Sequence, residues 1–292
     1  MNLTYTYKRL KMNTDIKTLT EQAYNIAISA GNYAKYLRNK IYKNGFLPFD
    51  LTELTTNSES CATNEDILLS NFILEKISEI SNIPIISEES HTTLQNDTFW
   101  CIDPLDGSFC FSHNTGPYSI LISLIKNGKP ILGIAHYPEQ NRTYMGAYGI
   151  GSYIIQNRQK KLLQYKTLKY NANTTCGLIT NAIPDPTPIK FFLEQCGIKK
   201  FKEVTGAPNP ALVLTGLGDV MPLFHRQYEW DIAAYDAIIK YSTQSYTPGI
   251  FDLNGLPVVY GKQNNNRPFE NPKLLVVLND TLKQTIISNK TR

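Results

Sequence analysis

The segment Cys101-Ile-Asp-Pro-Leu-Asp-Gly-Ser108 combines the end of an apolar run with a turn and two acidic side chains. The run from Thr98 to Asp103 is short and apolar, which predicts a buried strand. Pro104 fixes its own φ and lacks a backbone donor, so we expect the chain to turn after Asp103. The turn would direct Asp103 and Asp106 into one small volume.

Carboxylates that face one another repel unless a cation neutralises them. The Leu105 carbonyl lies between the two aspartates in sequence and adds an oxygen donor. Mg²⁺ prefers oxygen ligands and keeps positions open for water and phosphate, and two such ions about 3.5–4 Å apart assist in-line attack on phosphorus. If a helix begins here, the amides of Gly107 and Ser108 would bind an anion. The same residues form an ordinary turn in most proteins, so the segment alone leaves both interpretations open.

Three further acidic residues lie where elements are predicted to begin or end. Glu88 follows the apolar run 83–86, Asp231 begins a predicted helix after Trp230, and Asp66 lies near the start of another. Each has an ordinary explanation alone, such as a solvated strand end for Glu88 or a helix cap for Asp231. Their joint occurrence, on ends that a rigid scaffold presents to a cleft, favours a single acidic site.

The N-terminal part of the sequence predicts two helices. From Thr14 to about Lys43, apolar residues recur in steps of three or four, the period of one buried helix face. A second helix is predicted after Thr63, where Thr63 and Asp66 have the spacing of a capping pattern.

Strand-like runs follow the acidic segment. The runs 118–126 and 129–137 flank Asn127-Gly128, which tolerates positive φ and predicts a tight antiparallel hairpin. After about Lys166, short strands alternate with helix-like runs, a pattern typical of an α/β layer. We therefore expect residues 1–165 to form an α+β half with two helices, an antiparallel sheet and the acidic motifs. Residues 166–292 would form an α/β half that completes the site.

Composition narrows the class of protein. The chain has 292 residues, of which 42% are hydrophobic and 18% charged, and this excludes a disordered protein. A net charge of +4, scattered along the chain, does not favour a nucleic acid polymer as partner. The longest apolar run, 118–125, is far shorter than the roughly 20 residues of a membrane span, and no secretion signal is recognisable. Five cysteines without a C-x-x-C pair fit reduced thiols, so we expect a cytoplasmic protein.

Three motifs together resemble the signature of the inositol monophosphatase superfamily: Ile86-Ser-Glu-Glu-Ser90, Asp103-Pro-Leu-Asp-Gly-Ser108 and Trp230-Asp-Ile-Ala-Ala234. These are Mg²⁺-dependent, lithium-sensitive phosphomonoesterases. Within the superfamily, the stretches 127–138 and 253–257 are similar to the CysQ-type 3'(2'),5'-bisphosphate nucleotidases. The resemblance implies a layered αβαβα sandwich, an α+β or α/β fold, with two or three Mg²⁺ ions as cofactors.

The resemblance also implies residue roles. The first metal would be held by Glu88, Asp103 and the Leu105 carbonyl, and the second by Asp103, Asp106 and Asp231. Asp66 would complete the acidic cluster and orient the Ser108 hydroxyl, and through it the attacking water, so that Asp66, Glu88 and Ser108 are the expected catalytic residues. The expected substrate-binding residues are Gly107, Ser108, Gly206, Ala207, Arg226 and Asp231.

The substrate that the resemblance implies is 3'(2')-phosphoadenosine 5'-phosphate, hydrolysed to AMP and phosphate by metal-activated water. Met221-Pro-Leu-Phe224 lacks the arginine that follows proline in the nucleotidases, and Arg226 is the expected substitute for binding a second phosphate. The alternative is an inositol-1-monophosphatase or a related sugar-phosphate phosphatase, whose members bind sugar hydroxyls with an acidic residue shortly before Trp-Asp. A catalytically silent nucleotide- or metal-binding relative is a third alternative.

The partner implied is a small phosphorylated metabolite, either an adenosine bisphosphate or an inositol phosphate. Members of the family are often homodimers, although no interface is legible in the sequence. Peripheral membrane association is left open.

Overall fold

The computed structural model describes residues 15–43, 64–90, 93–164, 171, 173–181, 185–242, 249–263 and 266–289. Within these ranges the helices are α1 (Ile16–Lys43), α2 (Asn64–Ile80), α3 (Ser108–His113), α4 (Thr187–Gln195), α5 (Glu229–Lys240) and α6 (Asp280–Asn289). The strands are β1 (Ile85–Ser87), β2 (Thr98–Asp106), β3 (Ser119–Lys126), β4 (Lys129–Tyr137), β5 (Arg142–Ala147), β6 (Gly151–Gln156), β7 (Gln159–Leu163), β8 (Cys176–Thr180), β9 (Lys200–Val204), β10 (Val220–Leu223), β11 (Gln227–Tyr228), β12 (Ile250–Asp252), β13 (Glu270–Asn271) and β14 (Leu274–Val277). Short 3₁₀ helices span Pro138–Gln140 and Pro210–Thr215.

The two predicted N-terminal helices are confirmed as α1 and α2. The buried face of α1 is rich in alanine, with Ala23, Ala27, Ala30 and Ala34 fully enclosed. Such small side chains let the helix lie close to its neighbours. The proposed capping residue Thr63 lies outside the described residues.

The first sheet has seven strands in sequential order, β1 to β7. β1 is parallel to β2, and each later neighbour is antiparallel. The predicted hairpin is confirmed, with Asn127 at φ 51° and Gly128 at φ 68° between β3 and β4. The sequence did not predict β7.

The predicted turn after Asp103 is wrong, because β2 continues through Pro104 to Asp106. Asp103 pairs with Leu121 of β3 and Asp106 pairs with Ser119, so β2 carries one extra residue between the two pairs. This is a β-bulge, which re-aims side chains on the longer strand. Leu121 and Ser119 are two apart and share a face of β3. The bulge therefore brings both aspartates to one face of the sheet, which an unbroken strand would not do for residues three apart.

The second sheet has five strands in the order β12-β14-β10-β8-β9. β8 is parallel to both β9 and β10, whereas β14 is antiparallel to its two neighbours. The helix-like run 211–216 is a 3₁₀ helix rather than an α-helix. The helix at Gly107-Ser108, which the sequence raised as a condition for anion binding, is present as α3. The sequence did not predict α6, β12 or the short β11–β13 pair.

Three hydrophobic clusters define the layers. The first lies between α1 and α2 and one face of the seven-stranded sheet, and includes Trp100 and Ile122. The second joins the opposite face of that sheet to α5 and the five-stranded sheet. The third packs α4 and α6 on the far face of the five-stranded sheet. The order is helices, sheet, helix, sheet, helices, so the predicted αβαβα sandwich is confirmed.

Helix α5 packs directly on the first sheet. A Cβ at Gly133 of β4 would lie 2.1 Å from the Ala234 carbonyl oxygen, so only glycine lets the helix come this close. The contact fixes where the N-terminus of α5 lies over the sheet. The division of the chain near residue 165 stays a prediction, since residues 165–170 lie outside the described part. Among the helices that the structure describes, none is both long and apolar enough to span a bilayer.

Candidate active site

The bulged end of β2 supplies two of the predicted acidic residues. Asp103 is 1% exposed, and its Oδ1 accepts a hydrogen bond from the Leu105 amide at 3.0 Å. Asp106 Oδ2 accepts one from the Ser119 hydroxyl of β3 at 2.8 Å. Each carboxylate thus has one oxygen oriented by the protein itself.

Asp231 is the third residue of α5, and its Oδ2 accepts a hydrogen bond from the Tyr228 amide at 2.6 Å. The ordinary interpretation of Asp231 as the N-cap residue is wrong, because the N-cap is Tyr228 and Asp231 is the third helical residue of a capping box. The capping geometry does not remove Asp231 from the site, because the residue also lines the cavity described below.

Glu88 and Asp66 reach the same region from β1 and α2. Glu88 follows β1 directly, and its carboxyl group is close enough to that of Asp103 for each to act on the other's pKa. Asp66 is 2% exposed in the first turn of α2, and its charge acts on both Glu88 and Glu89. The structure therefore brings Asp66, Glu88, Asp103, Asp106 and Asp231 together, and we call these five residues the acidic wall.

Burial and mutual repulsion disfavour the charged forms of these carboxylates. Burial is the main cause that raises the pKa of Glu88 to about 7, and the charges of Glu89, Asp106 and Asp66 add to it. Burial also raises the pKa of Asp106 to about 6. The pKa values of Asp103 and Asp231 are raised well above the usual range, again by burial and then by neighbouring carboxylates.

The acidic wall has the donor chemistry of a site for a hard divalent cation. The pKa values of Asp103 and Asp231 are raised well above the usual range, and no lysine or arginine of the described residues is among the causes of these shifts. No three histidine, cysteine or acidic side chains of the described ranges are already gathered in the arrangement of a metal-binding group. The carboxylates are close enough to repel one another, yet three of them are turned toward protein donors. The donor set fits Mg²⁺, and a bound cation would relieve the repulsion.

A cavity of about 610 Å³ opens beside the acidic wall. Its lining includes Asp106, Gly107, Gly206, Ala207 and Asp231. These are five of the residues predicted for the site. Asp66, Glu88, Asp103, Leu105 and Ser108 are not among the described lining residues.

The two predicted substrate segments lie against each other. A Cβ at Gly107 would be 3.6 Å from Ala207 Cβ, and one at Gly206 would be 2.8 Å from the ring of Pro117. Gly206 has φ +86°, its amide donates to Asn181 Oδ1 at 3.1 Å, and its carbonyl accepts from the Thr180 hydroxyl. The segment around Gly206 is thus held by the side chains of Thr180 and Asn181 at the end of β8.

The Ser108 hydroxyl donates to the Leu105 carbonyl at 2.9 Å. The resemblance implied Asp66 as the residue that orients this hydroxyl, and that role stays a prediction. The Leu105 carbonyl oxygen has a second lone pair, so the bond to Ser108 leaves it able to accept a metal.

Arg226 is not brought to the cavity. Its side chain is 50% exposed and its Nε lies 3.9 Å from Glu270 Oε1. Its neighbours His225 and Gln227 do line the cavity. Sequence reasoning missed these two as well as Phe109, Cys110 and Asn181. For Phe109 and Cys110 the available signal was their position directly after Ser108.

The comparisons with known proteins agree with this architecture. The family model described as the inositol monophosphatase family matches residues 15–242. A curated 3'(2'),5'-bisphosphate nucleotidase CysQ of Aggregatibacter actinomycetemcomitans is 29% identical over 222 residues, 73% of this chain and 79% of the relative. The crystal structure of CysQ from Bacteroides thetaiotaomicron has a TM-score of 0.68 at 19% identity, covering 89% of this chain and 97% of the other. An inositol monophosphatase from Zymomonas mobilis has a TM-score of 0.71 at 16% identity, covering 96% and 100%.

The chain belongs to the inositol monophosphatase family. It is a phosphoric monoester hydrolase, the class to which this family and its CysQ relatives belong. The family generally uses Mg²⁺, which agrees with the donor chemistry of the acidic wall.

Proposed function

We propose that the chain is a Mg²⁺-dependent 3'(2'),5'-bisphosphate nucleotidase, which hydrolyses 3'(2')-phosphoadenosine 5'-phosphate to AMP and phosphate. The observation that carries the proposal is the acidic wall, in which five carboxylates from separate parts of the chain act on one another and two of them line the cavity. The similarity to the curated CysQ relative supports the substrate.

Two Mg²⁺ ions would be held by the acidic wall together with the Leu105 carbonyl. Glu88, Asp103 and Leu105 would hold the first, and Asp103, Asp106 and Asp231 the second. When bound, the metal supplies neutralisation of phosphoryl charge and activation of the attacking water. The hydrogen bonds from the Leu105, Ser119 and Tyr228 donors fix one oxygen of each aspartate. This preorganisation leaves the other oxygen available to the ion without a search among rotamers.

The remaining site residues would bind substrate and water. The amides of Gly107 and Ser108 would hold the phosphate, with the segment Gly206-Ala207 next to them. Asp66 and Ser108 would position the attacking water. Arg226 is the candidate for the second phosphate, although it would have to share its charge with Glu270.

The contacts of Glu229 disfavour an inositol phosphate as the preferred substrate. Glu229 is the acidic residue next to Trp230-Asp231 and is fully buried. Its carboxylate accepts hydrogen bonds from the Gly261 and Lys262 amides at 2.6 and 2.9 Å and pairs with Lys262 Nζ at 2.9 Å. These contacts leave it engaged with the protein rather than with a sugar hydroxyl.

The test measures phosphate release from 3'-phosphoadenosine 5'-phosphate and from inositol-1-phosphate during a Mg²⁺ titration. We expect Mg²⁺-dependent turnover with the nucleotide as the faster substrate. In Asp231→Asn the rate should fall at least about a hundredfold, because a ligand charge is lost while asparagine Oδ1 can still accept from the Tyr228 amide.

The exposed Asp97 offers a matched control, since Asp97→Asn makes the same chemical change away from the cavity. It should keep the parental rate. Faster release from inositol-1-phosphate by a wide margin would make the chain an inositol monophosphatase. No release from either ester, with Mg²⁺ present, would support a catalytically silent relative.

A further inference from the structure

Phe109 is an aromatic side chain of the cavity that packing does not account for. It is the second residue of α3, it lines the cavity, and 58% of its surface is exposed. The packing role on this short helix belongs to Phe111, which is 1% exposed and meets the Tyr118 ring edge-on at 4.9 Å. Phe109 is therefore free to contact a ligand.

The ring of Phe109 is held in a defined orientation by His113, one helical turn later. The two rings stack with centroids 4.2 Å apart and an angle of 21° between their planes. His113 Nδ1 lies 3.1 Å from both the Phe109 carbonyl and the Ser112 hydroxyl, which fixes the imidazole as well. A ring that is already ordered loses little conformational entropy when a second ring stacks on it.

The rest of the cavity offers a leaving group hydrogen bonds rather than opposite charge. Apart from Asp106 and Asp231, no lysine, arginine, aspartate or glutamate is among the described residues that line it. The lining includes the amides of Asn181 and Gln227, and His225, whose pKa is lowered by burial. The neutral aromatic base of a nucleotide fits these surroundings.

We infer that Phe109, held by His113, is the stacking surface on which the purine base of a nucleotide substrate binds. The inference rests on the proposed function and adds a specificity-determining residue to it. Every nucleobase has a π-face, so stacking here would favour nucleotides over phosphate esters that lack a base.

The experiment compares Phe109→Ala with the parent chain on 3'-phosphoadenosine 5'-phosphate and inositol-1-phosphate in the presence of Mg²⁺. The ratio of kcat/KM for the nucleotide to kcat/KM for the inositol ester should fall about tenfold, through KM rather than kcat. Phe109→Trp should restore the ratio. Phe191 of α4 is 62% exposed and does not line the cavity, so Phe191→Ala should leave the ratio unchanged.

Equal losses on both substrates would overturn the inference, because they would mean that Phe109 supports α3 rather than the base. An unchanged ratio would overturn it too. Calorimetric titration with AMP separates this inference from the proposed function. If the parent hydrolyses neither ester but Phe109→Ala still weakens AMP binding about tenfold, the stacking surface stands and the proposed function fails. If the parent binds AMP no better than Phe109→Ala does, the inference fails.

Discussion

The acidic wall and the neutral part of the cavity lining are built in different ways. The acidic wall stands on β1, β2, α2 and α5, whose positions are set by sheet pairing and by the close approach of α5 to Gly133. The neutral part, which we call the neutral wall, includes Asn181, residues 205–208, His225 and Gln227. It is formed largely by connections between elements, held by side-chain hydrogen bonds such as that from the Gly206 amide to Asn181.

Because of this difference, we expect the residues that determine turnover to be separate from those that determine which substrate is accepted. Carboxylates that must hold metal ions within tenths of an ångström gain from a rigid frame, and the acidic wall has one. Loops tolerate substitution, so a neutral wall made of them can change the leaving group that is accepted without disturbing the metal ligands. We expect substitutions in the acidic wall to change the turnover rate and substitutions in the neutral wall to change the substrate preference.

The largest expected effect follows from Asp103→Asn, which removes a central charge of the acidic wall. With Mg²⁺, kcat/KM should fall about a thousandfold, because a ligand proposed for both ions is lost. Without Mg²⁺, the free energy of unfolding should rise by about 1 kcal/mol, because a neutral amide no longer repels Glu88, Asp106 and Asp231. Asparagine Oδ1 can still accept from the Leu105 amide.

Urea unfolding with EDTA and with Mg²⁺ measures the second effect. The parent chain should gain more stability from Mg²⁺ than the variant, since at a given concentration a ligand that binds the folded state more tightly stabilises it more. Asp97→Asn serves again as the control and should respond to Mg²⁺ as the parent does. Equal Mg²⁺ stabilisation of Asp103→Asn and the parent would remove Asp103 from the metal site.

A smaller effect is expected at low pH, where protonation of a buried histidine in the seven-stranded sheet should lower the free energy of unfolding. His136 of β4 pairs in register with Ile120, next to the Ser119 that orients Asp106. It is 5% exposed, and burial, helped by the charge of Lys35, lowers its pKa from 6.5 to about 4. The unfolded chain therefore binds a proton between these pH values while the folded chain does not.

The stability from neutral His136 is present above about pH 6.5 and is lost as the pH falls toward 4. The contribution of His136 should fall by about 2 kcal/mol between pH 7.5 and pH 5, measured in urea unfolding as the difference between the parent and His136→Gln. His136→Gln should lack this component of the pH dependence. Thr143→Val removes the hydroxyl partner of His136 Nδ1 but keeps the imidazole, so its free energy of unfolding should still fall with pH as that of the parent does. If the free energies of unfolding of His136→Gln and the parent changed equally with pH, His136 would not be the source of this pH dependence.

The same contrast explains what the sequence could predict. Glu88, Asp103, Asp106 and Asp231 were predictable because acidic residues at the ends of apolar runs are rare in this chain and recur in a family pattern. Their common face depends on the bulge in β2, which the pairing partners on β3 decide and a local reading of Pro104 does not.

The neutral wall was harder to predict because its residues have no pattern of their own. Asn181 and Gln227 are types that occur in any loop, and only the contact between the Gly107 and Ala207 segments places them at the site. That contact joins parts of the chain about a hundred residues apart in sequence. Periodicity reports on neighbours within a helix or strand, so it carries no information about such a contact.

The smallest expected effect concerns Arg226, the proposed partner of a second phosphate. Its guanidinium is half exposed and its Nε is 3.9 Å from Glu270 Oε1, so solvent and a competing carboxylate both weaken any pairing with substrate. Arg226→Ala should raise KM for 3'-phosphoadenosine 5'-phosphate by no more than about fivefold, since exposed ion pairs contribute about 1 kcal/mol or less. It should leave KM for 3'-AMP, which lacks the second phosphate, unchanged.

Arg267 is also exposed and also lies beside Glu270, at 3.4 Å, so Arg267→Ala controls for the loss of positive charge nearby. An equal rise of KM for both nucleotides would mean that Arg226 shapes the neutral wall through Glu270, and selection of the second phosphate would then have to come from another residue.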